Sequence, residues 1–271
     1  MLIDDIREQD RLMLILHDRL LADSRYEEQL FREIDSFSQA YLDFHDLEAK
    51  VAIKDYKTFI KAYNKDLKKF ASTGKFPLEL DPEREGPGRI PYNIILLFSC
   101  LLNPHRFRIM QLIKEKAEKA DLGLFIGCGP GLEMSLTSSY LEKTIAYDLV
   151  LDDFLQQQFS EIEFRNSYFD GSDEERYGAV YLIEILEHLE QPYALLEDCK
   201  KVLNPGGHIY LTTATDIPQF DHLYNFPKDH SGFEKKLVEM GLEVVYKEEI
   251  LHQALTQEGG AQNVFYKLKS N

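Results

Sequence analysis

Four groups of residues in this chain have the types and spacing to do chemistry. In "GLFIGCGPGLEM" (residues 123–134), Gly127, Gly129 and Gly131 directly follow a short apolar run. Without a Cβ, glycine lets the backbone turn tightly and approach a ligand closely. Asp148 ends the next apolar run, "TIAYD", 17 residues after Gly131. A carboxylate at such a strand end can accept hydrogen bonds from both hydroxyls of a ribose. Turn and acid together point to a dinucleotide or another adenosine cofactor. The turn reads G-x-G-P-G and lacks the third glycine two residues further on that packing under a pyrophosphate favours. The third group is Glu184, Glu187 and His188, in the order E-x-x-E-H. The fourth is "DIPQFDHLYNFPKDH", whose aromatic and polar mix suits a loop facing a reactant, with Asp221, His222 and Tyr224 as candidates and His230 behind them.

The elements that must hold these residues alternate from Leu122 onward. LGLFIG, TIAYD, IEFRN, GAVYLIE, GHIYLTTAT, LEVVYKEEI and NVFYKLKS read as strands, most of them separated by helical stretches. That alternation predicts a mostly parallel sheet with helices on both faces. Ligands of such sheets bind beyond the carboxyl ends of the strands, where the glycine turn and Asp148 both fall. Residues 1 to about 72 read as helical, with apolar residues recurring every three or four positions and no Gly or Pro before Gly74. Lys50, Lys54, Lys57, Lys61, Lys65 and Lys68 share one helix face, and Tyr56, Phe59, Ile60, Tyr63 and Leu67 share the opposite one. We read these as a solvated face and an apolar contact face. "STGKFPLELDPEREGPGRIPYN", with four prolines and three glycines, reads as a loop, and a helix is expected from about Asn93 to Lys119. The chain thus divides into a helical region over 1–118 and an α/β domain over 119–271.

Composition narrows the partners. Hydrophobic residues are 44% of the 271, enough for a sizeable core. The formal charge of −16 disfavours nucleic acid and anionic membrane as main partners, since either calls for a basic patch. Three scattered cysteines form neither a disulfide framework nor a zinc cluster, and we expect reduced thiols in a cytoplasmic protein. No stretch resembles a signal peptide or a membrane span.

The stretch "YGAVYLIEILEHLEQPYALLEDCKKVLNPGGHIYLTTAT", taken with "IGCGPG" and Asp148, resembles the class I S-adenosylmethionine-dependent methyltransferases over about 119–271. The resemblance implies a seven-stranded, Rossmann-like, doubly wound α/β sheet, here under an all-helical N-terminal cap. It implies S-adenosylmethionine as cosubstrate. Gly127, Gly129 and Gly131 would approach its methionine and adenosine parts, Asp148 the ribose, Ser167 and Tyr168 the adenine, and Glu184 the sulfonium. His188, Glu184 and His222 would be the catalytic candidates, acting on a small-molecule acceptor. Tyr92, in "GRIPYN", could close an aromatic face over the sulfonium. The expected protein is a monomer or homodimer.

Two departures from the family pattern leave alternatives open. The family usually has Asp or Glu where Phe125 stands. An aromatic ring beside the cofactor's amino group would lower the amine's pKa by desolvation and make it a nucleophile. Attack on the methionine γ-carbon would then release methylthioadenosine, by cyclisation to azetidine-2-carboxylate or by aminocarboxypropyl transfer. Nicotianamine synthases similarly have an apolar residue before a G-x-G-P turn. A third reading is a cofactor-binding protein without catalysis. The pattern Glu184, Glu187, His188 resembles the Mg²⁺ site of some O-methyltransferases, but "LEH" is common in the superfamily without metal, and we expect none here.

Overall fold

The computed structural model describes residues 2–252 and 262–270. The seven apolar runs all form strands: β1 (Ala120–Ile126), β2 (Leu141–Tyr147), β3 (Ile162–Arg165), β4 (Tyr177–Leu182), β5 (Leu203–Thr215), β6 (Leu242–Leu251) and β7 (Gln262–Ser270). They make one sheet in the order β3-β2-β1-β4-β5-β7-β6. The pairs among β1 to β5 are parallel, and β7 runs antiparallel to both β5 and β6. Strand order reverses between β1 and β4, and the loops there splay apart into a crevice at the carboxyl edge.

The helical region comprises α1 (Leu2–Gln9), α2 (Arg11–Leu21), α3 (Glu28–Phe44), α4 (Ala49–Thr73), the short α5 (Pro77–Leu80), α6 (Arg89–Leu102) and α7 (Pro104–Lys116). Between and after the strands lie α8 (Leu132–Thr137), α9 (Asp153–Gln158), α10 (Pro192–Val202) and α11 (Ser231–Glu239). Strand alternation sends side chains to two cores. Phe125, Tyr181 and Tyr210 join the core with Phe98, Met110 and the other N-terminal helices, whereas Leu124, Ile126 and Val180 pack with Leu196 of α10 and Leu237 of α11.

The helical region departs from expectation at its breaks. Asp10 separates α1 from α2 because its carboxylate accepts from the Leu12 and Met13 amides and caps α2. The helix expected from Asn93 starts four residues earlier, at Arg89, and is cut in two at Asn103–Pro104. Pro91 lies in the first turn of α6 and Pro104 opens α7, where the missing N–H costs no helical hydrogen bond. "GRIPYN", expected in a loop, is therefore the rigid start of α6.

Candidate active site

One cavity of about 1270 Å³ opens over the carboxyl edge of β1, β2 and β4 and continues beneath α2, α4 and α6. At its floor, Gly127, Gly129 and Gly131 have φ of +72°, +54° and +89°, the left-handed region that favours glycine. Gly127 N–H donates to the Tyr147 carbonyl at 2.8 Å, which ties the turn to β2. A Cβ on Gly129 would meet only Leu96, at 3.5 Å, so this turn leaves its inner side open to the cavity.

Asp148 Oδ2 accepts from Gly129 N–H at 3.0 Å and Oδ1 from Val150 N–H at 3.0 Å. Arg89, at the start of α6, donates to the same Oδ2 at 2.9 Å and to the Gly129 carbonyl at 3.3 Å. Beside the acid, Leu149, Val150 and Tyr168 leave 49%, 53% and 73% of their surfaces exposed although they line the cavity. This apolar bed suits a flat aromatic base. Ser167 lines the cavity too. Leu149 and Val150 were not among the residues expected here; two exposed apolar residues directly after Asp148 were the signal.

Glu184, just past β4, adopts φ +52°, a strained conformation for a residue with a side chain. Its amide donates to Thr212 Oγ1 at 2.7 Å, and its two carboxylate oxygens accept from Asn263 Nδ2 at 2.9 and 2.7 Å. Arg106 of α7 reaches Glu184 Oε2 at 3.0 Å, and its own Nε has no partner. Asn263 Oδ1 is in turn bonded by His252 Nε2, whose ring stacks on His105 at 3.8 Å. Burial pushes the Glu133 carboxyl up, against the opposing pull of the nearby Arg106 charge. Arg106 was not among the residues expected at this cavity.

Glu187, His188 and His222 place their ligand-type atoms within 4.8 Å of one another. Glu187 is 1% exposed, and neither carboxylate oxygen has a partner among the described residues. Burial, and then the Glu184 charge, raise its pKa well above the carboxylate range. His222 is buried and its pKa falls to about 3, first through burial and then through His188. His188 Nδ1 lies 3.1 Å from the Asp221 carbonyl oxygen. A carbonyl only accepts, so Nδ1 carries the proton in this contact and Nε2 keeps its lone pair. Asp221 Oδ2 also accepts from the Tyr92 hydroxyl at 3.1 Å, which ties α6 to the loop after β5. Glu187 holds that loop by its carbonyl, which accepts from Leu223 and Tyr224 N–H at 2.8 and 3.0 Å.

The structure thus gathers Gly127, Gly129, Asp148, Ser167, Tyr168, Glu184, His188, Asp221, His222 and Tyr92 around one cavity. Gly131 shapes the turn from behind, as the residue that starts α8. Phe125 does not join them. It is 3% exposed and stacks on Tyr181, centroids 4.4 Å apart and planes 3° apart, with Tyr181 stacked in turn on Tyr210. On β1 its neighbour Ile126 lines the cavity, so the pleat turns Phe125 to the opposite face. The ring cannot desolvate an amine in the cavity, and the γ-carbon argument loses that footing. Tyr224 and His230 also lie elsewhere: Tyr224 packs against Tyr193 and Phe226, and His230 contacts Gln262. The metal alternative changes membership, because Asn263 and Arg106 engage the Glu184 carboxylate and His222 stands in its place.

Residues 107–247 match a family described as "Methyltransferase domain". A ubiquinone biosynthesis O-methyltransferase of Proteus mirabilis is 26% identical over 127 residues, covering 41% of this chain and 49% of that protein. One of Alkalilimnicola ehrlichii is 38% identical over 48 residues, 18% of this chain and 19% of that protein. The chain spans about half or less of the length of these curated relatives. Among solved structures, an O-methyltransferase family protein from Burkholderia thailandensis has a TM-score of 0.54 at 13% identity, over 81% of this chain and 71% of that one. The N-methyltransferase NodS of Bradyrhizobium japonicum, in complex with S-adenosyl-L-homocysteine, has a TM-score of 0.51 at 17% identity, over 71% of this chain and 96% of that one. These likenesses are likenesses of fold.

Proposed function

This chain belongs to the methyltransferase-domain family, and from that premise we propose that it is an S-adenosylmethionine-dependent methyltransferase acting on a hydroxyl oxygen of a small-molecule acceptor. The observation that carries the oxygen reading is the cluster of Glu187, His188 and His222, which opens into the same cavity as the glycine turn and Asp148. In this reading residues 119–271 bind the cosubstrate and residues 1–118 cap the acceptor.

The residues present fit the cosubstrate. Asp148 has two oxygens for two ribose hydroxyls, and Leu149, Val150 and Tyr168 offer an apolar bed for adenine, next to Ser167. Gly127, Gly129 and Gly131 keep the turn free of side chains. Arg106 and Glu184 form an ion pair of the right signs for a zwitterion, the guanidinium for the carboxylate and Glu184 for the ammonium. This takes over the role that an acid at position 125 plays elsewhere in the family.

S-adenosylmethionine supplies a methyl group activated by a positively charged sulfur. The cavity walls align the acceptor oxygen with that carbon, and such alignment supplies most of the acceleration. His188 Nε2 takes the hydroxyl proton as the new C–O bond forms, and the Asp221 carbonyl stabilises the imidazolium through Nδ1–H. Buried His222, kept neutral, excludes a competing charge beside it.

A second reading has its own observation: a buried Glu187 with two unpartnered oxygens beside two imidazoles is a donor set that fits a divalent cation. Such an ion would lower the pKa of the acceptor hydroxyl.

Calorimetry with Asp148→Ala tests the placement of the cosubstrate. Loss of two hydrogen bonds to a charged group should weaken S-adenosylmethionine binding about 10²- to 10⁴-fold. Unchanged affinity would sink the ribose assignment. Mass spectrometry of protein, cosubstrate and phenolic acceptors should give a methyl ether and S-adenosylhomocysteine. Methylthioadenosine in their place would revive the γ-carbon chemistry.

A further inference from the structure

The apolar face of α4 does not pack the way its spacing suggests. Of the stripe Tyr56, Phe59, Ile60, Tyr63 and Leu67, only Tyr56 is buried. The other four remain half-buried, and all five line the cavity. Leu12 and Leu16 of α2 line it as well. Phe59 and Tyr63 present parallel rings, centroids 6.0 Å apart and planes 11° apart. The Tyr56 hydroxyl accepts from Asn103 Nδ2 at 3.0 Å, so its polar end is satisfied within the protein.

Phe59 and Ile60 touch the core on one side, but where the stripe faces the cavity it forgoes the dispersion contacts of a packed core. Such a surface is kept where something apolar fills the space. The volume agrees. Pockets of about 300–1,000 Å³ hold one drug-sized ligand, and the 1270 Å³ here exceeds that range. The glycine turn, Asp148 and the apolar bed beside it account for one end. The α4 arm is the remainder, and from Tyr56 to Leu67 it extends about 16 Å at 1.5 Å per residue.

We infer that the acceptor carries an elongated apolar segment that lies along the α4 stripe while its hydroxyl sits beside His188. The inference rests on the methyl-transfer reading for the identity of the reacting end. The seat for the apolar segment rests on α2 and α4 alone.

The test is calorimetric titration of 4-butyl-, 4-hexyl- and 4-octylphenol into the full-length protein, with and without saturating S-adenosylhomocysteine. Burial of about 0.8 kcal/mol per methylene corresponds to roughly fourfold tighter binding for each added carbon. The expected result is that slope in the native protein and its loss beyond the shortest chain in Ile60→Trp, with S-adenosylhomocysteine affinity unchanged. Affinity independent of chain length, or an equal slope in Ile60→Trp, overturns the seat. If S-adenosylhomocysteine fails to bind the native protein while the slope persists, the methyl-transfer reading falls and the apolar seat stands.

Discussion

At His188 the chemistry depends on which ring nitrogen is free. The Asp221 carbonyl 3.1 Å from Nδ1 takes a proton there, so under the proposed mechanism Nε2 is the nitrogen that would act as the base. His188→Gln should lower kcat by about 10²- to 10⁴-fold, the usual contribution of a positioned general base. Cosubstrate affinity, measured by calorimetry, should stay as it was. Arg106 makes the opposite prediction. Its partner Glu184 is held from the other side by Asn263, and Arg106 lines the cavity beside it, so under the proposed function its guanidinium is the cation that would face the cosubstrate carboxylate. Arg106→Met should weaken S-adenosylmethionine binding about 10- to 100-fold, with a smaller loss for Arg106→Lys, which keeps the charge without the fork. Chelation separates the base from the cation reading: under the base reading activity is unchanged by EDTA, and loss restored by a first-row ion such as Zn²⁺ or Fe²⁺, which suits two imidazoles and a carboxylate, would favour the cation.

Among the elements, α6 does the most positioning. Arg89 in its first turn meets Asp148 after β2, and Tyr92 meets Asp221 in the loop after β5. One turn further along, Asn93 Nδ2 donates to Asp152 Oδ2 at 3.1 Å, which also accepts from the Tyr41 hydroxyl at 2.6 Å. His45 lies 3.0 Å from Oδ1 of the same carboxylate, which also caps α9 through Phe154 N–H. Asp152 therefore clasps α3 and α6 to the sheet domain. Asp152→Ala removes a helix cap and leaves buried donors without an acceptor, and should cost about 2–4 kcal/mol in urea unfolding. In α2, His17 is buried with neither ring nitrogen partnered, and burial lowers its pKa to about 4. Below about pH 6.5 the unfolded chain binds a proton that the folded protein refuses. Stability is therefore lost as the pH falls from 6.5 toward 4. His17→Phe should flatten that acid limb in thermal melts, since a phenyl ring keeps the contact with Phe31.

On the scale of the whole molecule, the cavity is walled by both halves of the chain, so a ligand in it contacts cap and sheet together. S-adenosylmethionine at 100 times its Kd should stabilise the native state by about 2.7 kcal/mol. For a chain of this length that corresponds to a rise in Tm of roughly 5–10 °C. At the same ligand concentration most of that rise should vanish in Asp148→Ala. Thermal melts with and without the ligand check both. No helix among the described residues is long and apolar enough to cross a membrane.

The sequence by itself determined the strands, the glycine turn and Asp148. Each is local: an apolar run of strand length, glycines at a tight turn, an acid at a strand's end. That locality is why all seven strands, and the turn and acid at one end of the cavity, were legible. Three things needed the tertiary structure. Which face of β1 receives Phe125 depends on the pleat and on what packs there, and Tyr181 claims the ring. Whether the α4 stripe meets a helix or a cavity depends on how α2 and α6 lean against it, which no periodicity encodes. And the set of Glu187, His188 and His222 forms only when the loop after β5 folds back onto the turn after β4, joining residues more than thirty positions apart through the Glu187 carbonyl.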